Sequence, residues 1–170
     1  MEVAVRSVRR ISAEIPGEFE DVVGRFEDLV PAVDAEAFGA AARTGEWSEV
    51  ERWTDSVATH GLLRYWRNDV RPLMSVAGDR SAAIAYLMGN HVTVERMFRH
   101  EPRVMNYAPL RVELSQSSGG PVLFTVDAPS DNFGSFDSDV LAAVGAELDS
   151  KVGSLLVLLG ARGDVKAVLG

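Results

Sequence analysis

The chain has 170 residues, of which 46% are hydrophobic and 25% are charged, and its 25 acids against 17 bases give a formal net charge of -8. This length and composition are typical of one globular domain with its own core. The acidic balance argues against nucleic acid as a partner, since phosphate binding needs a basic stripe. Because the sequence contains no cysteine, disulfides, zinc–thiolate sites and cysteine nucleophiles are excluded.

Targeting and membrane segments are not predicted. The first ten residues, MEVAVRSVRR, carry charge where a signal peptide has an apolar core. The apolar run LLVLLGA at 155–161 is too short to cross a bilayer. We therefore expect a cytoplasmic protein with no membrane partner.

The chain opens with a predicted strand and a predicted helix. VRSVRRISAEI at 5–15 alternates as a strand does, and FEDVVGRFEDLV at 19–30 has apolar residues at the helical spacings of three and four. Residues 32–46 are alanine-rich and ambiguous. Ser48 followed by Glu51 is typical of a capping box, which predicts a helix from there to about residue 58.

The middle of the chain contains two predicted strands separated by a short helix. LLRYW at 62–66 predicts the first strand, and residues 68–79 predict a helix capped by Asn68 or Asp69. AAIAYLMG at 82–89 is almost continuously apolar, which predicts a central strand buried on both faces.

A helix and a hairpin are predicted next. HVTVERMFRH at 91–100 is helical in pattern and turns Val94, Met97 and Phe98 toward the core. The predicted strands VMNYAPLRVELS (104–115) and PVLFTVDA (121–128) flank QSSGG, which is a hairpin signal. Pro109 within the first of these strands predicts an edge strand or a bulge.

The last helix has the clearest pattern in the sequence. It is predicted to begin after Asp137 or Ser138 and to end at Gly160. Its apolar stripe consists of Val140, Val144, Leu148, Val152, Leu155 and Leu159. We expect one α+β domain over 1–160 and a flexible tail over 161–170.

The order of these elements favours an α+β fold over a doubly wound sheet, because strands and helices interleave irregularly. Two long helices can cover one face of a single sheet. The other face is then expected to be covered by a second copy of the chain or by a ligand.

Three runs carry a family resemblance: GLLRYWRNDVRPLMSVAG from Gly61, AYLMGNHVTVERMFRHEPRVMNYAPLRVEL from Ala85, and FTVDAPS from Phe124. They resemble the bacterial family called domain of unknown function 302, above all its actinobacterial members. The resemblance implies an antiparallel β-α-β(4)-α fold of the TATA-binding-protein-like type, often dimeric. The segment near 32–60 departs from the family's shorter pattern, and we expect it to be a helical insertion that roofs a pocket. The family has no established common activity, so the resemblance assigns no catalytic residue.

A metal site is the first chemical possibility. His91 and Glu95 lie four residues apart and so share a helix face, where His60 would complete a two-histidine, one-carboxylate set. The simpler interpretation pairs Glu95 with Arg99 in a helix ion pair, and we predict no metal and no cofactor. His100 lies nine positions after His91, on the opposite side of the helix.

The junction Asn90-His91 is the stronger candidate site. Asn90 is typical of an N-cap. In the functional alternative His91 faces a cavity at the sheet edge as an acid or base, since its ordinary pKa lies near neutrality. The candidate catalytic residue is His91, and the candidate ligand-binding residues are Tyr65, Trp66, Asn90, Glu95, Arg96 and Tyr107.

Three functions remain open. The first is cofactor-free binding of a small, partly apolar molecule by a homodimer. The second is a cofactor-independent isomerase, cyclase or lyase of a small-molecule pathway, in which His91 moves a proton and Tyr65, Tyr107 or Arg96 stabilises a developing negative charge. The third is subunit assembly, with the helix surface as a protein interface.

Overall fold

The computed structural model describes residues 3–165 and residue 169. Five strands and seven α-helices lie within these residues. In chain order they are β1 (Arg10–Ile15), α1 (Phe19–Leu29), α2 (Ala35–Arg43), α3 (Trp47–Val57), β2 (Leu63–Asp69), α4 (Arg71–Val76), β3 (Ala82–Gly89), α5 (His91–Phe98), β4 (Leu110–Gln116), β5 (Val122–Asp127), α6 (Pro129–Phe133) and α7 (Asp139–Leu159). Short 3-10 helices cover Pro102–Asn106 and Gly134–Phe136.

The strands form one antiparallel sheet in the order β1-β5-β4-β3-β2. Together with α1 and α7 they give the predicted β-α-β(4)-α arrangement, so the predicted α+β class is confirmed. The inserted segment near 32–60 is helical, as expected, and consists of α2 and α3. No helix in the described part of the chain is long and apolar enough to cross a membrane.

The core lies between one face of the sheet and the layer formed by α1 and α7. Phe26 of α1 contacts Tyr86 and Phe124 of the sheet, with ring centroids 4.7 and 6.0 Å apart. Leu148 and Val152 of α7 belong to the same buried cluster. This layer buries one side of each strand, and no helix of the described residues covers the opposite side, which is here called the open face.

Strand β3 is interior, as predicted, but it is not buried on both faces. Ile84, Tyr86 and Met88 are fully buried, whereas Ala85 and Leu87 between them are partly exposed. The helices cover a single face, so the strand alternates in burial although nearly all its residues are apolar. Small alanines and one leucine on the open face explain why the sequence suggested burial throughout.

The prediction of a strand over 104–115 was wrong in its first half. Pro102–Asn106 form a 3-10 helix, and β4 begins only at Leu110, so Tyr107 and Pro109 precede the strand. The peptide bond Ala108–Pro109 is cis. Strand β4 is the central strand of the sheet and not an edge. Proline has no amide hydrogen for the ladder, and it is accommodated here by lying just before the strand.

Two predicted caps are not formed. Helix α3 begins at Trp47 after Glu46, whose side chain makes no capping hydrogen bond, so Ser48 lies inside the helix and the capping box is absent. Asn68 and Asp69 belong to β2, and α4 begins at Arg71. Helix α3 thus begins earlier than its sequence pattern indicated, whereas at α4 the preceding strand β2 extends further than its pattern indicated.

Two residues predicted to face the core are exposed. Phe98 of α5 is 46% exposed and Val140 of α7 is 43% exposed. In α5 the inner position is filled by Met97, and in α7 burial begins at Leu141, one residue later. Helix α7 ends at Gly160, as predicted, with a positive φ of 80°.

The described part of the C-terminal segment lies against the body of the protein. The Arg162 amide donates a hydrogen bond of 2.9 Å to the Glu14 carbonyl, and Val165 packs against the core. Leu169 is buried. The predicted flexible tail over 161–170 includes residues 166–168 and 170, which lie outside the described residues.

Candidate functional site

The site begins with an irregularity in strand β2. Arg64 lies opposite Met88 and Trp66 lies opposite Leu87, so Tyr65 is an extra residue in the register. Bulges of this kind redirect a side chain away from the regular alternation of a strand. The Tyr65 ring consequently reaches the end of β3, where it lies close to Gly89 and edge-on to the His91 ring.

Asn90 fixes the turn from β3 into α5. Its Oδ1 accepts hydrogen bonds from the amides of Val92 and Thr93, at 2.8 and 3.1 Å, and its Nδ2 donates to the Gly61 carbonyl at 3.1 Å. The side chain therefore satisfies the first free amides of the helix and ties it to the loop before β2. Asn90 contributes to the site mainly by fixing the turn that orients His91, the first residue of α5, relative to the sheet.

His91 is enclosed by aromatic rings. Its ring stacks on Phe38 of α2, with centroids 4.1 Å apart and planes 9° apart, and meets Tyr65 edge-on at 4.9 Å. The Trp53 ring of α3 packs against the Phe38 ring, with the two ring centroids 5.4 Å apart. The inserted helices therefore hold one wall of the site in place.

The electrostatics of the site favour uncharged groups. Burial lowers the pKa of His91, and its Nε2 is buried without a hydrogen-bond partner among the described residues. Burial also raises the pKa of Tyr65, partly offset by a hydrogen bond with the His91 backbone. At neutral pH the site therefore presents a neutral imidazole and a neutral phenol.

A small cavity of about 110 Å³ lies beside His91 and is here called the apolar cavity. Almost all of its exposed wall is apolar. Its lining residues are Tyr65, Gly89, Asn90, His91, Thr93, Val94, Met97, Met105, Ala108, Pro109, Leu110, Phe133 and Leu148. An apolar cavity of about 150 Å³ binds benzene; because this one is smaller, the group it encloses is at most a single ring or a short branched alkyl group.

A wider groove of about 400 Å³ lies between the inserted helices and α5, and is here called the aromatic groove. His91 and Val94 line both the groove and the apolar cavity. Its other lining residues are Phe38, Ala42, Gly45, Glu46, Trp47, Val50, Glu95 and Phe98. The exposure of Phe98, contrary to the sequence pattern, is explained by its position in this groove.

A third cavity, of about 470 Å³ and here called the polar cavity, shares a wall with the apolar cavity. The shared wall consists of Met105, Ala108, Pro109 and Leu110. The remaining lining residues are Arg6, Leu87, Asn106, Tyr107, Arg111, Asp127 and Asn132. The loop before β4 thus separates an apolar compartment from a polar one.

Among the candidate ligand residues, the structure brings Tyr65, Asn90 and His91 together. Trp66 lies 47% exposed on the open face, beside Leu87. Tyr107 lines the polar cavity and packs edge-on against Phe133 and Phe136, at 6.5 and 5.8 Å. Tyr107 and Trp66 therefore lie outside the apolar cavity.

Glu95 and Arg96 are engaged in ion pairs. Glu95 binds Arg99, as the helix spacing predicts, and Arg96 Nη1 lies 2.7 Å from Glu147 of α7. Within residues 3–165 and 169, no group of three or more histidine, aspartate or glutamate side chains converges as a metal site would require. Glu95 therefore lies at the aromatic groove with its charge already compensated.

Several residues of the site were not found by sequence reasoning. Phe38 lies in the alanine-rich segment that had no clear pattern, and Phe133 and Leu148 are indistinguishable from ordinary core residues. Arg6 precedes the first strand in an extended segment. The one usable signal was the presence of three aromatics, Phe38, Trp47 and Trp53, in a segment that is otherwise rich in alanine and polar residues.

Comparison with known proteins supports the fold of this chain. No protein-family model and no curated protein matches this sequence. The structure is similar to the crystal structure of the uncharacterized conserved protein DUF302 from Bacillus stearothermophilus, with a TM-score of 0.65 and 11% sequence identity, over 88% of this chain and 97% of that chain. At this identity the similarity shows a shared α+β fold, and function has to be argued from the site.

Proposed function

We propose that this protein binds a small, partly apolar molecule, without a cofactor, in the apolar cavity beside His91. The observation that carries the proposal is a preformed, almost wholly apolar cavity with one neutral, unpaired imidazole in its wall. Binding sites of this kind combine apolar lining with few polar groups that fix orientation. The volume of about 110 Å³ limits the enclosed part of the ligand to roughly one ring.

Gly89→Ala tests the proposal by filling the cavity with one methyl group. The added Cβ would lie 3.6 Å from both Tyr65 Cε2 and Pro109 Cβ, which is ordinary van der Waals contact. We expect the variant to fold and to bind benzyl alcohol several-fold more weakly than the original chain. The matched control is Gly24→Ala in α1, where the new methyl meets nothing within 4 Å.

NMR titration with benzyl alcohol provides the measurement. Shift changes at Thr93, Val94 and Met97 are expected for the original chain and for Gly24→Ala. Equal affinity of Gly89→Ala and the control, or shifts confined to other parts of the protein, would reject this site.

Catalysis by His91 is the second candidate, favoured by the low pKa and unpaired Nε2 of a ring that lines the cavity. A neutral imidazole is the form that accepts a proton. Arg96 pairs with Glu147 and Tyr107 lies in another cavity, so Tyr65 is the neighbour placed to act with His91. His91→Gln should then spare ligand affinity and abolish turnover, whereas equal loss of both would leave binding as the function.

We infer that the chain is a divergent member of the domain of unknown function 302 family, supported by the shared fold and by the runs quoted above. The actinobacterial affiliation, the TATA-binding-protein-like type, a cytoplasmic location and the absence of nucleic-acid and membrane partners stay predictions.

We also propose a homodimer through the open face, supported by the exposed Trp66 beside Leu87. Trp66→Glu should give monomers in sedimentation velocity, whereas Trp47→Glu, which changes an equally prominent tryptophan of the aromatic groove, should not. A monomeric original chain would reject the dimer.

A further inference from the structure

Two arginines that line the polar cavity, Arg6 and Arg111, lack the carboxylate partner that most other described arginines of this acidic chain have. The arginines that form ion pairs with carboxylates include Arg9, Arg52, Arg64, Arg67, Arg71, Arg96, Arg99, Arg103 and Arg162. Arg6 and Arg111 form no such pair with any described residue. Both line the polar cavity, so positive charge without internal compensation is concentrated at one place.

Arg6 is held in position by neutral groups. Its Nη1 donates a hydrogen bond of 2.5 Å to Asn132 Oδ1, and its guanidinium lies 4.4 Å from the centre of the Tyr107 ring. Asn132 is itself buried. These contacts orient the guanidinium without a direct carboxylate partner, as a site for an anionic group requires, and the nearby Asp131, whose pKa Arg6 helps to lower, is itself bound by Arg9.

Arg111 projects from β4 on the open face, beside Leu87 of the neighbouring strand. It lines the polar cavity together with Asp127, which is the one acidic residue in the cavity wall. Two arginines against one aspartate leave a net charge of +1 there. An anion is therefore favoured over a cation, although Asp127 reduces the preference.

From this arrangement we propose that the natural ligand is an organic acid, with its apolar group in the apolar cavity and its carboxylate held by Arg6 and Arg111. This inference rests on the proposed function, since it adds a second compartment to the same site. The shared wall of Met105, Ala108, Pro109 and Leu110 places the two compartments side by side. Met105, which lines both compartments, is 48% exposed, so this part of the shared wall lies at the protein surface.

Three probes of one shape and different charge test the proposal: phenylacetate, phenylacetamide and phenethylamine. Phenylacetate is expected to bind about tenfold more tightly than phenylacetamide, because its charge strengthens the hydrogen bonds from the two arginines. Arg111→Gln and Arg6→Gln should each remove most of this preference, weakening the binding of phenylacetate much more than that of phenylacetamide. Asp127→Asn should increase the affinity for phenylacetate several-fold.

Arg10→Gln is the matched control. Arg10 also projects from the open face without an ion pair to any described residue, but it does not line the polar cavity. Its replacement should leave the acid-to-amide preference intact. Sedimentation of each variant at the titration concentration separates loss of a subunit contact from loss of an anion contact.

The remaining outcomes decide between the two proposals. Equal affinities for phenylacetate and phenylacetamide, tighter binding of phenethylamine, or a preference that survives both Arg111→Gln and Arg6→Gln would overturn the organic-acid ligand while leaving the apolar cavity as a binding site. Failure of all three probes to bind would overturn both.

Discussion

The rings of Phe38 and His91 lie face to face, 4.1 Å apart, and join the inserted helices to the end of the central sheet. Helix α2 buries none of its own residues, so this stack and the contact between Phe38 and Trp53 hold it in place. A helix with so few buried contacts belongs to the least stable part of a fold. The cover over the imidazole is therefore the part of the site that is easiest to open.

Phe38→Ala should raise the pKa of His91 toward its ordinary value of 6.5. The pKa is lowered because burial penalises the charged ring, and removing Phe38 admits water to that ring. NMR titration of the imidazole signals measures the change. Trp47→Ala, which removes a groove residue that makes no ring contact with His91, should leave the pKa where it was.

Folding stability should fall as the pH is lowered below about 6.5, in part because of His91. Its pKa in the folded chain is below that of the unfolded chain, so the unfolded chain binds the proton first and is favoured. The pKa values of Asp69 and Glu101 are about 2, so these carboxylates act only at lower pH.

Urea unfolding at pH 7.5 and pH 5.5 measures this contribution. His91→Gln should show a smaller loss of stability between the two values, whereas replacing the exposed His100 by Gln should change it little. An unchanged pH dependence in His91→Gln would exclude the histidine as its source.

Gly145→Ala should destabilise the protein by about 1–3 kcal/mol, because it overpacks the contact between α7 and α6. A Cβ at Gly145 would lie 2.9 Å from Ser130 Cα, a backbone atom that cannot move aside without displacing α6. Since α6 carries Phe133, which lines the apolar cavity, the proposed binding of benzyl alcohol should weaken as well. Thermal unfolding measures the change.

Gly24→Ala in α1 is the reference for that substitution. Its methyl group meets nothing, and alanine favours the helix by about 0.5–1 kcal/mol, so stability should increase. A loss of stability in both variants would show that the close contact at Gly145 is not the cause.

Glu27→Gln should destabilise the protein by about 2 kcal/mol, since a partly buried carboxylate that serves several donors loses its charge. Glu27 Oε1 accepts hydrogen bonds from Arg67 Nε at 2.8 Å and from the Tyr86 hydroxyl at 2.9 Å, and Arg64 Nη2 lies 3.3 Å from Oε2. Burial raises the pKa of Glu27, but the hydrogen bonds from Arg67 and Tyr86 and the nearby arginines outweigh it and lower the pKa overall.

Tyr86→Phe separates the neutral hydrogen bond from the charge in this network. Removing the hydroxyl should cost about 1 kcal/mol and leave both ion pairs in place. Denaturant unfolding of the two variants gives the comparison, and a larger loss in Tyr86→Phe than in Glu27→Gln would contradict the importance of the charge.

The local features of this fold were accessible from the sequence. The order of strands and helices, the hairpin at QSSGG and the Asn90 cap all depend on neighbouring residues, and each is present. The helix boundary at Ser48 was missed because α3 begins before the predicted cap, and the boundary at Asn68 was missed because strand β2 continues through Asp69.

The site was only partly predictable because it is built from distant segments. His91 and Tyr65 were identified as candidates, but no local pattern brings Phe38 onto the histidine or Arg6 beside Arg111. Phe98 was assigned to the core because a helical repeat does not show that inserted helices will form a groove around it.

The extra residue in β2 has a consequence beyond the position of Tyr65. Residues three apart in a regular strand point to opposite sides, yet Arg64 and Arg67 both reach Glu27 because the count between them is shifted by one. Deleting a single residue here would turn one of these guanidinium groups away from its carboxylate and return the tyrosine to ordinary pairing. The ion pairs of Glu27 with Arg64 and Arg67 and the Tyr65 wall of the apolar cavity therefore depend on the same one-residue offset and would have to change together.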